Sequence, residues 1–298
     1  PLKKYWRQIA AGILAAVLLC LWLDIRFGTF SGQRCRLPVL MYHHFVTDQA
    51  AEEKEQAGEE LLGTVVSEGR FREQMTALHR AGYHAVTLEQ IRDFVLDGEP
   101  LPDKPVLITM DDGYASNLEI AAPILEELGM CATVFVIGIN EGEPVYVHSG
   151  EPFWQARFAY EEAVSWVEKG VLDLQSHTFD MHQLASYGYG PRDGMLPLEG
   201  EAEEDYRQAL REDMDLFRER REGRVATELM ALAFPFGYWS EETDRLLEEE
   251  GISLTFTIDE RGNTLYTGRT DSMRRMGRFN VTESIDGSML VNRLDAVS

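Results

Sequence analysis

Cysteine and basic residues are scarce in this chain of 298 residues. The three cysteines are Cys20, Cys35 and Cys131, and no two of them form a C-x-x-C pair. The sequence therefore predicts a protein that folds without a disulfide framework. Lys and Arg total 28 against 51 Asp and Glu, a formal net charge of −23. This excess of negative charge argues against a general affinity for nucleic acid or for an anionic membrane surface.

One apolar run stands apart near the N-terminus, Ile9 to Leu23. Three basic residues precede it and two tryptophans flank it, a pattern typical of an export signal. We expect an uncleaved membrane anchor that leaves the following chain outside the cytoplasm. The run is shorter than the roughly 17–25 residues of a full membrane span. A cleaved signal peptide, with a weak cleavage site at 29–31, and a buried helix of the fold are the alternatives.

The rest of the chain lacks an internal repeat and any sign of a second domain. We expect an anchor or signal and linker over 1–35, with 24–36 as linker, and one domain over 36–298. Apolar strands such as "KPVLITM" and "CATVFVIG" alternate with helical patterns at least six times, including helices over 154–169 and 201–221 and a late short strand near 273–278. This alternation predicts an α/β protein with a parallel sheet and outer helices, a barrel. In such folds the chemistry gathers at the C-terminal ends of the strands.

Polar residues cluster at four of these predicted strand ends. They are found in "MYHHF", "TMDDGY", "SHTFDMH" and "AFPFGYW". Four of the seven histidines and the one Asp-Asp pair lie there, a distribution that packing explains poorly. The candidate site residues are His43, Asp111, Asp112, His177, His182, Pro235 and Tyr238.

Each motif has an ordinary structural explanation when it is taken alone. Asp-Asp-Gly after a strand is commonly a turn with a helix cap. His177 and His182 are five residues apart, so they diverge on a helix and on a strand, and converge only from a loop. His43 could be a hydrogen-bonded core histidine, and "PFGY" could be a simple turn.

Together the motifs predict a metal site. One carboxylate and two imidazoles suit Zn²⁺ or a similar divalent ion with a position open for water. Such an ion makes water a usable nucleophile near neutral pH, and a second carboxylate beside it can accept the proton. The adjacent aspartates would repel each other. If one aspartate binds a cation, the repulsion is offset, and the other aspartate remains free to act as base.

With these motifs the chain resembles the polysaccharide deacetylases of carbohydrate esterase family 4, which have the NodB-homology fold, over roughly 36–290. That resemblance implies a distorted (β/α) barrel. "TMDDGY" is similar to the family's T-F-D-D-G motif, which implies that Asp111 is the catalytic base and Asp112 a metal ligand. "SHT" resembles the second motif, which implies that His177 and His182 complete the metal site. "FPFGY" resembles the third motif, a wall of the substrate groove, where a backbone N–H at Tyr238 helps hold the oxyanion.

Three departures from the family pattern bear on the roles of residues. Most members space the two histidines four apart, and the gap here is five. That gap and "LMYHHF" resemble the biofilm poly-β-1,6-N-acetylglucosamine deacetylases. No histidine follows His182, so the usual late general acid is missing. In the biofilm subgroup the early M-Y-H motif supplies it, which implies His43. The arginine that positions the base in many members is absent near the third motif, and Arg278 is a possible substitute.

The resemblance implies a metal-dependent hydrolase that removes N-acetyl groups from N-acetylglucosamine-containing exopolysaccharide or cell-wall glycan. Its cofactor would be one divalent ion, Zn²⁺ first, with Co²⁺ or Ni²⁺ as alternatives. Two other functions stay open: a surface-anchored, non-catalytic glycan-binding module, and an esterase that removes O-acetyl groups. The expected location is the cell membrane, with the domain outside the cytoplasm, or secretion if the segment is cleaved. We expect no nucleic-acid partner.

Overall fold

The computed structural model describes residues 12–19, 32–148, 150–151 and 155–298. Residues 12–19, α1, are helical and exposed; the remainder of the apolar run Ile9 to Leu23 lies outside the described residues. None of the helices in the described part of the chain is both long and apolar enough to cross a membrane. The membrane anchor therefore stays a prediction from the sequence.

A curled parallel sheet forms the centre of the molecule, with strand order β10-β9-β8-β7-β6-β2-β12. The short β5 also pairs with β6. Outside this sheet, β1 pairs antiparallel with β11 and β3 pairs parallel with β4. The strands are β1 (Arg34–Leu37), β2 (Val39–Tyr42), β3 (His44–Val46), β4 (Val65–Ser67), β5 (His84–Ala85), β6 (Pro105–Asp112), β7 (Ala132–Val136), β8 (Leu172–Ser176), β9 (Ala231–Ala233), β10 (Leu254–Phe256), β11 (Asn263–Tyr266) and β12 (Phe279–Asn280).

Helices separate most of the parallel strands and cover the outer face of the sheet. A π-helical turn, Asn117–Ala121, leads directly into α5. The helices after α1 are α2 (Asp48–Gln56), α3 (Glu68–Arg80), α4 (Leu88–Asp97), α5 (Ala122–Glu127), α6 (Tyr160–Glu168), α7 (Glu203–Arg221), α8 (Glu241–Glu249) and α9 (Gly287–Asp295). This βα order agrees with the predicted α/β barrel.

The barrel is incompletely closed. Among the described residues no ladder joins β12 to β10. The two ends of the sheet are linked instead by a single parallel bridge between Phe256 and Met276. The N–H of Arg278 also donates to Asp259 O over 3.0 Å. Phe135 on β7 and Phe256 on β10 still touch across the interior, with ring centroids 5.2 Å apart. The sheet therefore curls far enough to enclose a core between strands that are not neighbours.

Strand β6 runs through the middle of the sheet with both faces covered. Ile108 belongs to the core shared with the outer helices, whereas Leu107 belongs to the inner core. Thr109 also lies inside, where its hydroxyl donates to Leu40 O over 2.7 Å. Because side chains alternate along a strand, the next inward position is Asp111, at the carboxyl end.

Several predicted boundaries were wrong. The predicted linker over 24–36 overlaps β1, because residues 34–37 pair with a later strand, β11. No local sequence pattern indicates this pairing. The helix predicted over 154–169 begins at Tyr160. The late strand predicted near 273–278 consists only of a 3₁₀ turn, Thr270–Met273, and the bridge at Met276, and β12 follows it. These strands are very short, so long-range pairing outweighs local propensity.

Candidate active site

Asp111 and Asp112 both face one site although they are neighbours on a strand. Alternation alone would send the two side chains to opposite faces. Asp112 has φ of +75°, a left-handed conformation that Asp tolerates better than most residues. This bend turns the Asp112 carboxylate back toward the end of the barrel. Backbone strain of this kind is concentrated at functional sites, and Thr178 and Phe236, at two neighbouring strand ends, also have positive φ.

Three predicted ligand residues converge beyond the end of β6. Asp112 Oδ1 lies 3.6 Å from His177 Nε2 and 3.4 Å from His182 Nε2. In the described part of the chain this trio is the group of His, Cys, Asp and Glu residues whose donor atoms lie close enough to hold one ion, all within 4.8 Å. Two ligand atoms about 2.1 Å from a tetrahedral ion lie about 3.4 Å apart. The donor set and its spacing therefore fit Zn²⁺ or a similar ion.

A loop allows His177 and His182 to converge although they are five residues apart in the sequence. His177 follows β8, and the chain then turns through Thr178, which has φ of +71°. Asp213, buried on α7, accepts three backbone N–H groups of the loop, from residues 179, 180 and 181, over 2.7–3.0 Å. This clamp returns the chain so that His182 faces His177, with ring centroids 4.9 Å apart.

His177 is held as a neutral imidazole, the form that a metal ligand requires. Its Nδ1 lies 2.8 Å from the carbonyl oxygen of Ala233. A carbonyl only accepts, so Nδ1 carries the proton and the Nε2 lone pair faces Asp112. Burial lowers the pKa of His177 to about 4, which keeps the imidazole uncharged at neutral pH. A backbone carbonyl that fixes the tautomer is a common outer partner of metal-binding histidines.

Asp111 has a partner that the sequence only suggested. The Arg278 guanidinium donates twice to it, Nη1 to Oδ1 over 2.6 Å and Nη2 to Oδ2 over 2.8 Å. Arg278 is fully buried, and its Nε donates to Thr257 O over 3.0 Å. Burial acts to raise the pKa of Asp111, but the charge and hydrogen bonds of Arg278, together with the nearby His177 and His43, outweigh burial and the pKa is lowered. Asp111 is thus held as an oriented carboxylate.

Asp112 has its own cation. The Arg157 guanidinium donates to the Asp112 backbone oxygen over 2.8 Å and lies 3.7 Å from Oδ2. Burial acts to raise the pKa of Asp112, but Arg157 and the hydrogen bond with His182 dominate, and the pKa falls well below its usual value. Sequence reasoning missed Arg157, because it lies in a loop with no motif around it.

The two histidines of "MYHH" have different surroundings. His43 lies at the site, with Nε2 3.9 Å from Asp111 Oδ2 and its side chain 17% exposed. His44 is buried, and its Nδ1 lies 2.9 Å from the Ser116 hydroxyl. Burial lowers the pKa of His44 to about 4. His43 is therefore the member of the pair that can reach a substrate.

The "PFGY" turn borders the predicted metal site. The Phe236 ring lies 4.5 Å from that of His182 between centroids, Pro235 is buried, and Tyr238 is 40% exposed. The N–H of Tyr238 donates to Pro235 O over 3.1 Å. The turn therefore lies beside the predicted ligand His182, and its role as a wall of a substrate groove stays a prediction. The N–H expected to hold an oxyanion already donates inside the turn.

Comparison with known proteins identifies the family. A family model described as polysaccharide deacetylase matches residues 98–255, more than half of the chain and the part that carries Asp111, Asp112, His177, His182 and Pro235. The chain belongs to the polysaccharide deacetylase family. This membership confirms the resemblance found in the sequence motifs.

Two relatives illustrate its place in the family. YxkH of Bacillus subtilis, a polysaccharide deacetylase by name, is 25% identical over 253 residues, 85% of this chain and 74% of the relative. The poly-β-1,6-N-acetyl-D-glucosamine N-deacetylase of Escherichia coli K12 is 25% identical over 72% of this chain. The aligned segment spans 33% of that longer enzyme.

Solved structures show the same fold. A de-N-acetylase from Aggregatibacter actinomycetemcomitans superposes with a TM-score of 0.71 at 20% identity, over 87% of this chain and all of that one. IcaB from Ammonifex degensii gives a TM-score of 0.66 at 23% identity, over 87% and 97% of the two chains. The curled parallel sheet with outer helices is thus the NodB-type barrel that the motifs implied.

Proposed function

We propose that this polysaccharide deacetylase is a divalent-metal-dependent hydrolase that removes N-acetyl groups from N-acetylglucosamine-containing polysaccharide and releases acetate. The observation that carries the proposal is the convergence of Asp112, His177 and His182 beside the Asp111–Arg278 pair. Two of the three metal-binding side chains remain partly exposed, Asp112 at 12% and His182 at 22%. A polymer can therefore approach the site from solvent.

Asp112, His177 and His182 would hold the ion, with Zn²⁺ favoured by the donor set and Co²⁺ or Ni²⁺ as alternatives. Such an ion supplies Lewis acidity, which makes water nucleophilic near neutral pH and stabilises negative charge on a carbonyl oxygen. The fixed tautomer of His177 presents a lone pair without any rearrangement.

Asp111 acts as general base in this proposal. It takes a proton from the water that attacks the acetamide carbon, so that a C–O bond forms as negative charge moves to the carbonyl oxygen. Arg278 keeps Asp111 ionised and fixes its direction, which leaves the carboxylate ready to accept a proton at neutral pH. Asp111 is paired with Arg278, whereas Asp112 faces the two histidines, so the two aspartates have different roles in this proposal.

His43 acts as general acid. Cleavage of the C–N bond leaves an amine that needs a proton, and His43 Nε2, 3.9 Å from Asp111 Oδ2, is close enough to supply it to a group bound between them. Amine and acetate then leave. We do not assign the Tyr238 N–H to the oxyanion, because that donor is bonded to Pro235 O; Pro235 and Tyr238 are proposed to line the glycan groove.

The Escherichia coli relative acts, by its name, on poly-β-1,6-N-acetyl-D-glucosamine, which makes that polymer our first proposed substrate. Deacetylation gives free amines, and a protein of net charge −23 would attract the polycation that results. Localisation rests on the sequence alone: the segment Ile9 to Leu23 is proposed to hold the enzyme at the membrane, outside the cytoplasm.

The test is acetate release by the full chain from N-acetylglucosamine oligomers, first with chelator and then with Zn²⁺, Co²⁺ or Ni²⁺ restored. We expect release only with metal. Asp111→Asn should keep metal binding and lose most turnover, whereas His177→Ala should lose the metal. Near wild-type release by Asp111→Asn would refute the proposed base.

The same assay separates the alternatives. Binding of the oligomers by folded, metal-loaded protein without any acetate release would favour a glycan-binding module. Release from O-acetylated but not N-acetylated sugars would favour an esterase, whose leaving group depends less on His43.

A further inference from the structure

Two tyrosines stand out on the surface beside the proposed active site. Tyr187 is 72% exposed and Tyr189 is 66% exposed. Their ring planes are nearly parallel, with an angle of 14° and centroids 6.3 Å apart. Neither ring is needed for the core, and large exposed aromatic pairs on a protein surface commonly mark a binding site.

The loop that carries this pair is well braced. Leu184 exchanges two backbone hydrogen bonds with Tyr189, over 3.0 and 3.2 Å. The Ala185 N–H donates to Asp193 Oδ1 over 3.1 Å. At the far end, the largely buried Arg192 donates to both carboxylate oxygens of Glu201, over 2.7 and 2.5 Å. The loop backbone on both sides of the two rings is therefore fixed, which reduces the entropy that binding a ligand would cost.

The base of the same loop lies against the proposed active site. Its first residue, Gln183, follows the metal-site residue His182, and its backbone oxygen accepts from the Gly194 N–H over 2.8 Å. Gly194 packs on the "PFGY" turn so closely that an added Cβ would lie 2.8 Å from Pro235 O and 3.0 Å from Tyr238 Cβ. The tyrosine pair is thus a continuation of the proposed groove wall.

The length of the chain limits how far the pair lies from the metal site. Tyr189 pairs across the turn with Leu184, and paired backbones lie about 5 Å apart between Cα atoms. Leu184 is two residues from His182, which adds at most about 7 Å. A short run of linked sugars can therefore bridge the distance between the proposed metal site and the two rings.

We propose that Tyr187 and Tyr189 form an accessory subsite for a hexosamine residue of the polymer other than the one that loses its acetyl group. This inference rests on the proposed function. A pyranose ring has a face of C–H groups that packs on an aromatic plane, and the negative face of a tyrosine ring also attracts the ammonium of an already deacetylated residue. The subsite would give the enzyme a preference for long chains.

The test compares Tyr187→Ala/Tyr189→Ala with Tyr187→Phe/Tyr189→Phe in the metal-loaded full chain. Substrates are N-acetylglucosamine dimers and hexamers, each in β-1,6 and β-1,4 linkage. We expect the Ala variant to lose about 3–10-fold in kcat/KM on the hexamer, through KM, with little change on the dimer. The Phe variant keeps the rings and should behave as wild type. Leu216→Ala removes an exposed apolar side chain from α7 and is the matched control.

Calorimetric binding of the hexamer to metal-free protein separates this inference from the proposed function. If wild type releases no acetate but binds the hexamer, and the Ala variant binds it at least threefold more weakly, the subsite stands and the deacetylase proposal fails. If wild type is active and the Ala variant matches it on both chain lengths and in binding, the subsite is refuted. If wild type is inactive and all variants bind the hexamer equally well, the subsite is also refuted.

Discussion

At the scale of single residues, the adjacent carboxylates are tolerated because each has a different cation. Asp111 is paired with Arg278 inside the barrel, and Asp112 lies beside Arg157 at the rim. Two buried anions without such partners would have raised pKa values and would exist partly as neutral acids. The separate pairing keeps both carboxylates ionised, as the separate roles proposed for them require.

Replacing Arg278 with Met should impair both stability and catalysis. The variant leaves a buried carboxylate unpaired, which costs about 3–5 kcal/mol of unfolding free energy. Without the Arg278 charge, burial raises the pKa of Asp111. Because the base acts only when ionised, the acid limb of the pH–rate profile should move to higher pH. Urea unfolding and the profile measured in the folded variant test these two effects.

Arg269→Met is the matched control, since Arg269 is exposed and pairs only locally with Asp271. An acid limb that stays in place in folded Arg278→Met would contradict the positioning role. Arg278→Lys keeps a charge without the bidentate contact. Its stability and the position of its acid limb should lie between those of wild type and Arg278→Met.

At the scale of secondary-structure elements, α7 fixes the loop that carries the second histidine of the proposed metal site. Its buried Asp213 accepts the N–H groups of three successive loop residues. Burial raises the pKa of Asp213 to about 6, although these donors oppose the shift. The carboxylate is therefore ionised near neutral pH, when it accepts most strongly. A carboxylate more than thirty residues further along the chain thus sets the direction of the loop that carries His182.

Asp213→Asn should weaken metal binding by about 10–100-fold, the usual cost of losing an outer partner of a ligand. An amide has one acceptor oxygen in place of two, so part of the clamp opens and His182 loses its direction. The measurement is competition with a coloured chelator for Zn²⁺. Asp215→Asn, on the exposed face of the same helix, should bind as wild type. Equal affinity in both variants would show that the clamp does not position His182.

At the scale of the whole molecule, the proposed site joins residues from the ends of strands that are far apart in the chain. His43 follows β2, the aspartates end β6, His177 follows β8, and Arg278 precedes β12. An unfolded chain cannot hold these groups together, so an ion that binds there binds the folded state. Metal affinity and global stability should therefore be linked.

Zn²⁺ at 100 times its dissociation constant should raise the unfolding free energy by about 2.7 kcal/mol over chelated protein. Thermal or urea unfolding measures the gain. His177→Ala should abolish it, whereas His79→Ala, at an exposed position on α3, should retain it. A gain that persists in His177→Ala would place the ion elsewhere.

Much of the fold and site could be predicted because the signals are local. The apolar runs that form β6 and β7 and the Thr87–Gln90 capping box of α4 follow from side-chain alternation and helix-end chemistry. The seven candidate residues all lie at strand ends on one side of the barrel. The first strand and β11 were missed because each is only four residues long and depends on the other.

The sequence by itself determined the βα alternation, the strand ends that carry polar groups, and the family, because periodicity and motif spacing are properties of neighbouring residues. Only the tertiary structure decided which arginine meets Asp111, how the chain between His177 and His182 turns back on Asp213, and that the Tyr238 N–H is already bonded. These are contacts between residues far apart in the chain or backbone angles at single positions. They depend on packing between elements, on which local propensity has little influence.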